Sequence, residues 1–243
     1  MKHPALFVIA TFTLLILPAC DSSKKSTADE KTPEVTAPDQ PDVPILPARK
    51  GDVWIYEVRL EIPADITSPG AVAVDETHQR TRTYLGKIAA AKGLPEVDCF
   101  EVSIPGFPSE REFVDILNDR ILMRGSLIMR PETTQPVWLD HAIPFVIAGM
   151  KPGTETPEIQ SPGGALSRKI QVIAREDIKV PAGTFPAIRL LMTGMDGDLE
   201  IRRTIWFSPK TGIVREEKSR YRLGKLIFRE TQQLVKTSIH ENK

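Results

Sequence analysis

The chain has 243 residues, 41% of them hydrophobic, which is enough for one domain with a substantial core. Its 32 Lys and Arg residues are balanced by 32 Asp and Glu, so no net field draws it toward nucleic acid or an acidic polymer. The two cysteines, Cys20 and Cys99, are too few for a disulfide-stapled scaffold, and the fold has to be held by packing.

In chain order, Lys2 and His3 precede an uncharged apolar run, Ala5 to Leu17, which ends at Pro18-Ala19. A positive start, a short apolar core and small residues before a cut make a secretory signal, and the run is too short to cross a bilayer as a helix, which takes about 20 apolar residues. Residues 1–19 are therefore expected to be a signal peptide. Leu17-Pro18-Ala19-Cys20 resembles the lipobox of bacterial lipoproteins, although Pro18 is a less usual occupant of its position. That resemblance implies that the Cys20 thiol takes a diacylglycerol, that the chain is cut before it, and that the new terminus is acylated. One acyl chain anchors a protein only marginally, whereas two or three at about 0.8 kcal/mol per buried methylene hold it firmly. The predicted partner is thus a bacterial membrane, with the domain outside the cytoplasm. Asp21 resembles the enterobacterial inner-membrane retention signal, which is not general, so the inner and outer membranes both remain open.

Residues 20–50 are predicted to be the lipidated cysteine followed by a disordered tether. Pro33, Pro38, Pro41, Pro44 and Pro47 are interleaved with polar and charged residues, a composition that builds no core. As a coil it would reach on the order of 30 Å, holding the following domain off the membrane.

From Gly51 to residue 243 the pattern is that of strands. Trp54, Tyr56, Val58, Leu60 and Ile62 alternate with Ile55, Glu57, Arg59 and Glu61, a period of two. Similar runs cover 78–88, 97–104, 112–117, 121–129, 167–174, 185–192, 200–207, 213–221 and 226–235. Turn chemistry separates several of them, at Asn118-Asp119, Ser208 to Gly212 and Leu223 to Lys225. The predicted fold is mainly β, a single highly curved antiparallel sheet or partly open barrel with little helix. Residues 87–92 could form a short helical turn. The apolar segment 139–148 is interrupted by Pro144, and 149–164, with three prolines, reads as a long loop: a lid, a binding edge or decoration.

Two stretches, Ile178-Lys-Val-Pro-Ala-Gly-Thr-Phe-Pro-Ala-Ile-Arg-Leu190 and Ile205-Trp-Phe-Ser-Pro-Lys-Thr-Gly-Ile-Val-Arg-Glu216, with the opening Gly51-Asp-Val-Trp-Ile-Tyr56, resemble exported bacterial proteins with DUF3108-like or TapB-like domains. The resemblance covers roughly residues 51–60 and 170–235 and is weak between them. It implies a highly curved antiparallel sheet, related in shape to periplasmic lipoprotein carriers, with an apolar concave side and no established chemistry. The residues themselves read structurally: Pro181 and Gly183, then Pro209 and Gly212, shape turns.

No catalytic constellation stands out. His78, His141 and His240 have no metal-ligand spacing, there is no nucleophile elbow, and Pro-Ala-Gly-Thr lacks the ending of a phosphate loop. No catalytic residue, metal or cofactor is predicted, and the protein is read as a non-enzyme. Cys99 shares a face with Val97 and is expected to be a buried small hydrophobe. Glu216 and Glu217 point to opposite faces, and the late basic residues Arg202, Arg203, Arg215, Lys218, Arg220, Arg222, Lys225 and Arg229, diluted by glutamates, are expected on a solvated sheet face. The aromatic residues Trp54, Tyr56, Trp138 and Trp206 are the candidates for a concave binding face, with core filling as the plainer role. The expected function is a membrane-anchored, non-catalytic binding domain for an apolar or lipid-like ligand, with a module that binds an envelope protein as the alternative.

Overall fold

The computed structural model of the protein describes residues 43–64, 73–90, 95–133, 135–160 and 167–239. The signal peptide, Cys20, most of the tether, His240 and the end of the 87–92 turn lie outside the described residues.

Twelve strands form one antiparallel sheet: β1 (Val53–Ile62), β2 (Val74–Ile88), β3 (Val97–Ser103), β4 (Glu110–Ile116), β5 (Arg120–Ile128), β6 (Val137–Ile147), β7 (Ile159–Gln160), β8 (Ser167–Val180), β9 (Gly183–Asp196), β10 (Leu199–Ser208), β11 (Gly212–Arg222) and β12 (Lys225–Thr237). Their spatial order is β6-β5-β4-β3-β2-β1-β12-β11-β10-β9-β8-β7. Two meanders, β1–β6 and β7–β12, are therefore joined where the first strand pairs with the last, Trp54 opposite Thr237 and Leu60 opposite Glu230. The sheet curls until it nearly closes into a barrel, leaving one seam between β6 and β8. No helix occurs among the described residues.

The turns follow from their residues. Leu223-Gly224 joins β11 to β12 with both residues at positive φ, 50° and 77°, the backbone twist that two-residue hairpins favour. Val180-Pro181-Ala182-Gly183 reverses β8 into β9, and the Ala182 N–H donates across the barrel to the Leu234 carbonyl.

Segment 139–148 is strand as far as Ile147: it belongs to β6, at the edge of the sheet, where Pro144 lies opposite Leu122 beside irregular register. An edge strand tolerates a residue without an N–H, which is why the proline does not end it. The loop 149–164 also has a role at its start. Gly153 and Thr156 donate to the carbonyls of Val172 and Ile170, and the Val172 N–H returns a bond to Thr154. This irregular run covers the edge of β8 that would otherwise present unpaired backbone.

The packed domain includes residues before Gly51. Ile45 and Leu46 are buried, the Ile45 N–H donates to the Leu117 carbonyl, and the Ile45 carbonyl accepts from Lys210. The last part of the stretch read as a tether therefore lies across the end of the barrel that carries the 117–119 and 209–211 turns.

The main core lines the inner face: Trp54, Tyr56, Tyr84, Phe100, Ile188, Leu190, Ile205, Phe207 and Leu234 among others. A smaller cluster of Val97, Cys99 and Phe113, with Trp138 and Leu127 packed against it, lies on the opposite face. Cys99 is fully buried there, and burial raises its thiol pKa, as expected for a small hydrophobe rather than a nucleophile.

Two glycines mark close approaches of backbone. A Cβ on Gly194 would lie 1.9 Å from the Ser167 carbonyl oxygen, and one on Gly125 would lie 2.4 Å from that of Val137. Gly194→Ala is expected to destabilise the domain by about 1–3 kcal/mol, since backbone rather than a side-chain tip has to move. A thermal melt with an unchanged midpoint would contradict this approach.

Candidate functional site

The four aromatic residues named from the sequence do not come together around a hollow. Trp54 and Tyr56 are each only 1% exposed. The Trp54 indole donates to the Thr211 carbonyl at 2.6 Å and the Tyr56 hydroxyl to the Ile213 carbonyl at 3.0 Å. Burial accordingly pushes the Tyr56 phenol well above its usual range. Trp206 donates to Glu176 at 2.9 Å. Trp138 is on the opposite face, stacked on Phe113 with ring centroids 4.9 Å apart. Tyr84 joins the filled apolar region, its hydroxyl 2.5 Å from Asp98.

Toward the other end of the barrel, the inner face changes character. Alternation carries Arg80 and Arg82 inward on β2, Glu112 on β4, Arg203 on β10, Glu216, Lys218 and Arg220 on β11, and Glu230 and Gln232 on β12. Three arginines have a carboxylate each. Arg80 holds Glu230 through both terminal nitrogens, at 2.9 and 3.0 Å, and Gln232 at 2.8 Å. Arg82 grips Glu112 at 2.8 Å while lying over the Phe100 ring at 3.8 Å. Arg203 pairs with Glu216 and covers the Phe145 ring, and the Gln232 amide donates to the second Glu216 oxygen at 2.7 Å.

These contacts tune the carboxylates. Burial alone would raise the Glu230 carboxyl, but Arg80 and Lys218 outweigh it and hold it at about 2. Glu112 is also lowered, because Arg82 and Arg203 overcome its burial. Glu110, at the rim, goes the other way: burial and the neighbouring Glu112 raise it. Lys218 is lowered by burial, with Glu230 opposing.

The late basic residues are thus divided between two faces. Arg202, Arg215 and Arg229 pair with Glu200, Glu217 and Glu61 on the outer face, the solvated arrangement the sequence suggested, and Arg222, at the exposed end of β11, pairs with Asp198. Arg203, Lys218 and Arg220 instead point inward, which corrects the single-face reading. Their parity gave the signal: Val214, Glu216, Lys218 and Arg220 alternate in step, as do Arg203, Ile205 and Phe207. A hollow of about 370 Å³ on the outer face is lined by Arg202, Glu217, Tyr221 and Arg229 among others; it is polar.

His78 contacts Glu76 at 3.1 Å and lies edge-on to Phe107, while His141 is exposed on β6; the two stand apart. Among the described residues, no group of three or more His, Cys, Asp or Glu is placed to hold a metal.

What the fold and site define is an antiparallel, nearly closed β-barrel with an apolar end and a charged end. No family model and no curated protein matches the chain. Two solved structures are similar to it. One is a Bacteroides fragilis protein assigned as exported and YmcC-like in fold, with 14% identity, a TM-score of 0.46, and coverage of 80% of this chain and 99% of that one. The other is a Parabacteroides distasonis protein assigned as a lipoprotein, with 13% identity, a TM-score of 0.45, and coverage of 82% and 100%.

Proposed function

We propose that the protein is a bacterial envelope lipoprotein, exported behind residues 1–19 and anchored through acylated Cys20, whose β-domain binds a ligand without transforming it. The anchor rests on the lipobox-like Leu17-Pro18-Ala19-Cys20 and the proline-rich stretch after it. The observation that carries the binding half is the charged, water-reachable end of the barrel interior, where neither Lys218 nor Arg220 has a carboxylate at ion-pair distance among the described residues, Glu230 lying opposite Lys218 across the β11–β12 pair but held by Arg80. An apolar ligand held by Trp54 and Tyr56 has less support, because both rings fill their own space and both polar atoms are committed to backbone.

Mass spectrometry of protein extracted from its own membrane in mild detergent tests both halves. A diacylglycerol adduct on Cys20 and a copurifying small molecule are expected. Cys20→Ser is expected to move the protein from the membrane to the soluble fraction. Unmodified Cys20 overturns the anchor, and a ligand-free spectrum counts against the binding role.

A further inference from the structure

We propose that Lys218 and Arg220, on the inner face of β11, form a binding site for a phosphate-type oxyanion, either free or as the headgroup of an amphiphile. This names the ligand class for the charged end and rests on the binding role proposed above.

The first support is the pattern of partners. Arg80, Arg82 and Arg203 each have a glutamate at ion-pair distance. Lys218 and Arg220, two residues apart on the same strand face, have none among the described residues. Arg220 is only 8% exposed, its Nε has no hydrogen-bond partner, and its guanidinium carbon lies 5.4 Å from the Phe228 ring. Arg80 also leaves Nε unbonded, but both its terminal nitrogens are bonded. A buried guanidinium without a counter-charge at contact distance is costly.

Charge decides the class. The five inward cations of this end, Arg80, Arg82, Arg203, Lys218 and Arg220, face the carboxylates Glu112, Glu216 and Glu230, with Glu110 at the rim, so cations outnumber carboxylates. Burial and Glu112 raise the Glu110 carboxyl, while Lys218 and Arg80 oppose that shift. Arg168, which donates to the carbonyls of Ser167 and Met195, adds to the positive field acting on Arg220's surroundings, with Asp196 opposing it. A phosphate monoester carries about −1.5 to −2 near neutrality, the sign that this end of the barrel favours. A guanidinium fork and an ammonium on one face suit its several oxygens. Lys218 is only partly buried, so an anion can reach it from solvent.

The test uses the full, lipidated protein in a nonionic detergent, free of phosphate. Inorganic phosphate, soluble dihexanoyl phosphatidic acid and zwitterionic dihexanoyl phosphatidylcholine are titrated in turn, by calorimetry and by thermal melting. Phosphate or the phosphatidic acid is expected to bind and raise the midpoint, since a ligand of the native state stabilises it, and the phosphatidylcholine is not. In Lys218→Gln/Arg220→Gln, affinity is expected to fall at least about tenfold, the order of one lost charge-assisted contact, with the ligand-free midpoint kept or raised. Lys225→Gln, at the exposed β11–β12 turn, should bind as the parent does. Binding of both anions to the same extent identifies a free oxyanion, and binding of the phosphatidic acid alone identifies a headgroup.

No response to either anion, or equal binding by the double variant, overturns the site. If a phosphorus-free molecule copurifies and is lost in the double variant, the binding role stands and the phosphate class falls. If nothing copurifies and neither anion binds, both fall.

Discussion

Trp54→Ala is expected to be the most damaging single truncation in the apolar end, lowering stability by about 3–5 kcal/mol. The indole is almost fully buried, meets Phe100 edge-on at 5.8 Å, and closes a hydrogen bond to the Thr211 carbonyl beside Gly212. Alanine removes the ring's contacts, opens a cavity and leaves that carbonyl unpaired in a place water does not reach. For a domain of this size the loss corresponds to roughly 6–20 °C in melting temperature. Trp138→Ala, at the partly buried edge of the opposite-face cluster, should cost less. If Trp54→Ala instead melted like the parent but lost a copurifying ligand, the ring would be lining a pocket and the packed-end description would be wrong.

Glu216→Ala should be comparably severe for the opposite reason. The Glu216 side chain is 4% exposed and takes bonds from Arg203 and Gln232, so its loss strands a guanidinium in the interior and deepens the positive surplus. Breaking a buried pair by removing one partner costs about 3–5 kcal/mol. Glu200→Ala, which breaks the outer-face pair with Arg202, is expected to cost under about 1 kcal/mol. Urea melts of the two variants measure the contrast, and equal midpoints would sink the claim that inner and outer pairs differ.

The same cluster predicts acid lability. Glu230 titrates at about 2 in the folded protein, below its ordinary value of 4.5, so between those values the unfolded chain binds more protons. Its stabilisation is whole above about pH 4.5 and is lost as pH falls toward 2; Glu112, also lowered, adds to the trend, while Glu110, raised, opposes it. Glu230→Gln should flatten a plot of melting temperature against pH over that window.

Most of the fold was legible because alternation is a local property. Trp54, Tyr56 and Val58 declare one buried face, and Leu223-Gly-Lys225 declares a hairpin, without knowledge of any partner strand. β6 was harder to read, because Pro144 argues against a strand everywhere except at a sheet edge, and edge position is set by the whole topology. Ile45 and Leu46 were hidden by the prolines around them; only the buried surface near the 117–119 and 209–211 turns gives them a place. The charged interior was written in the parity of β10 and β11, where Arg203, Lys218 and Arg220 keep step with Ile205 and Val214. It was obscured by the general rule that charged residues on strands face water. Which cation has a partner depends on β2, β4 and β12 meeting across the barrel, and no spacing along the chain encodes that.

The pairing of β1 with β12 also sets an order of events. On its β12 side Trp54 pairs with the far end of the sequence, opposite Thr237, so the pairing that joins the two meanders has to wait until nearly the whole chain is available. Contacts of such long sequence separation are slow to form. A chain emerging N-terminus first from synthesis has β1 lacking half its neighbours, an open edge exposed to other chains until the final strand arrives. Truncation within β12 should therefore leave aggregation-prone material rather than a smaller folded domain.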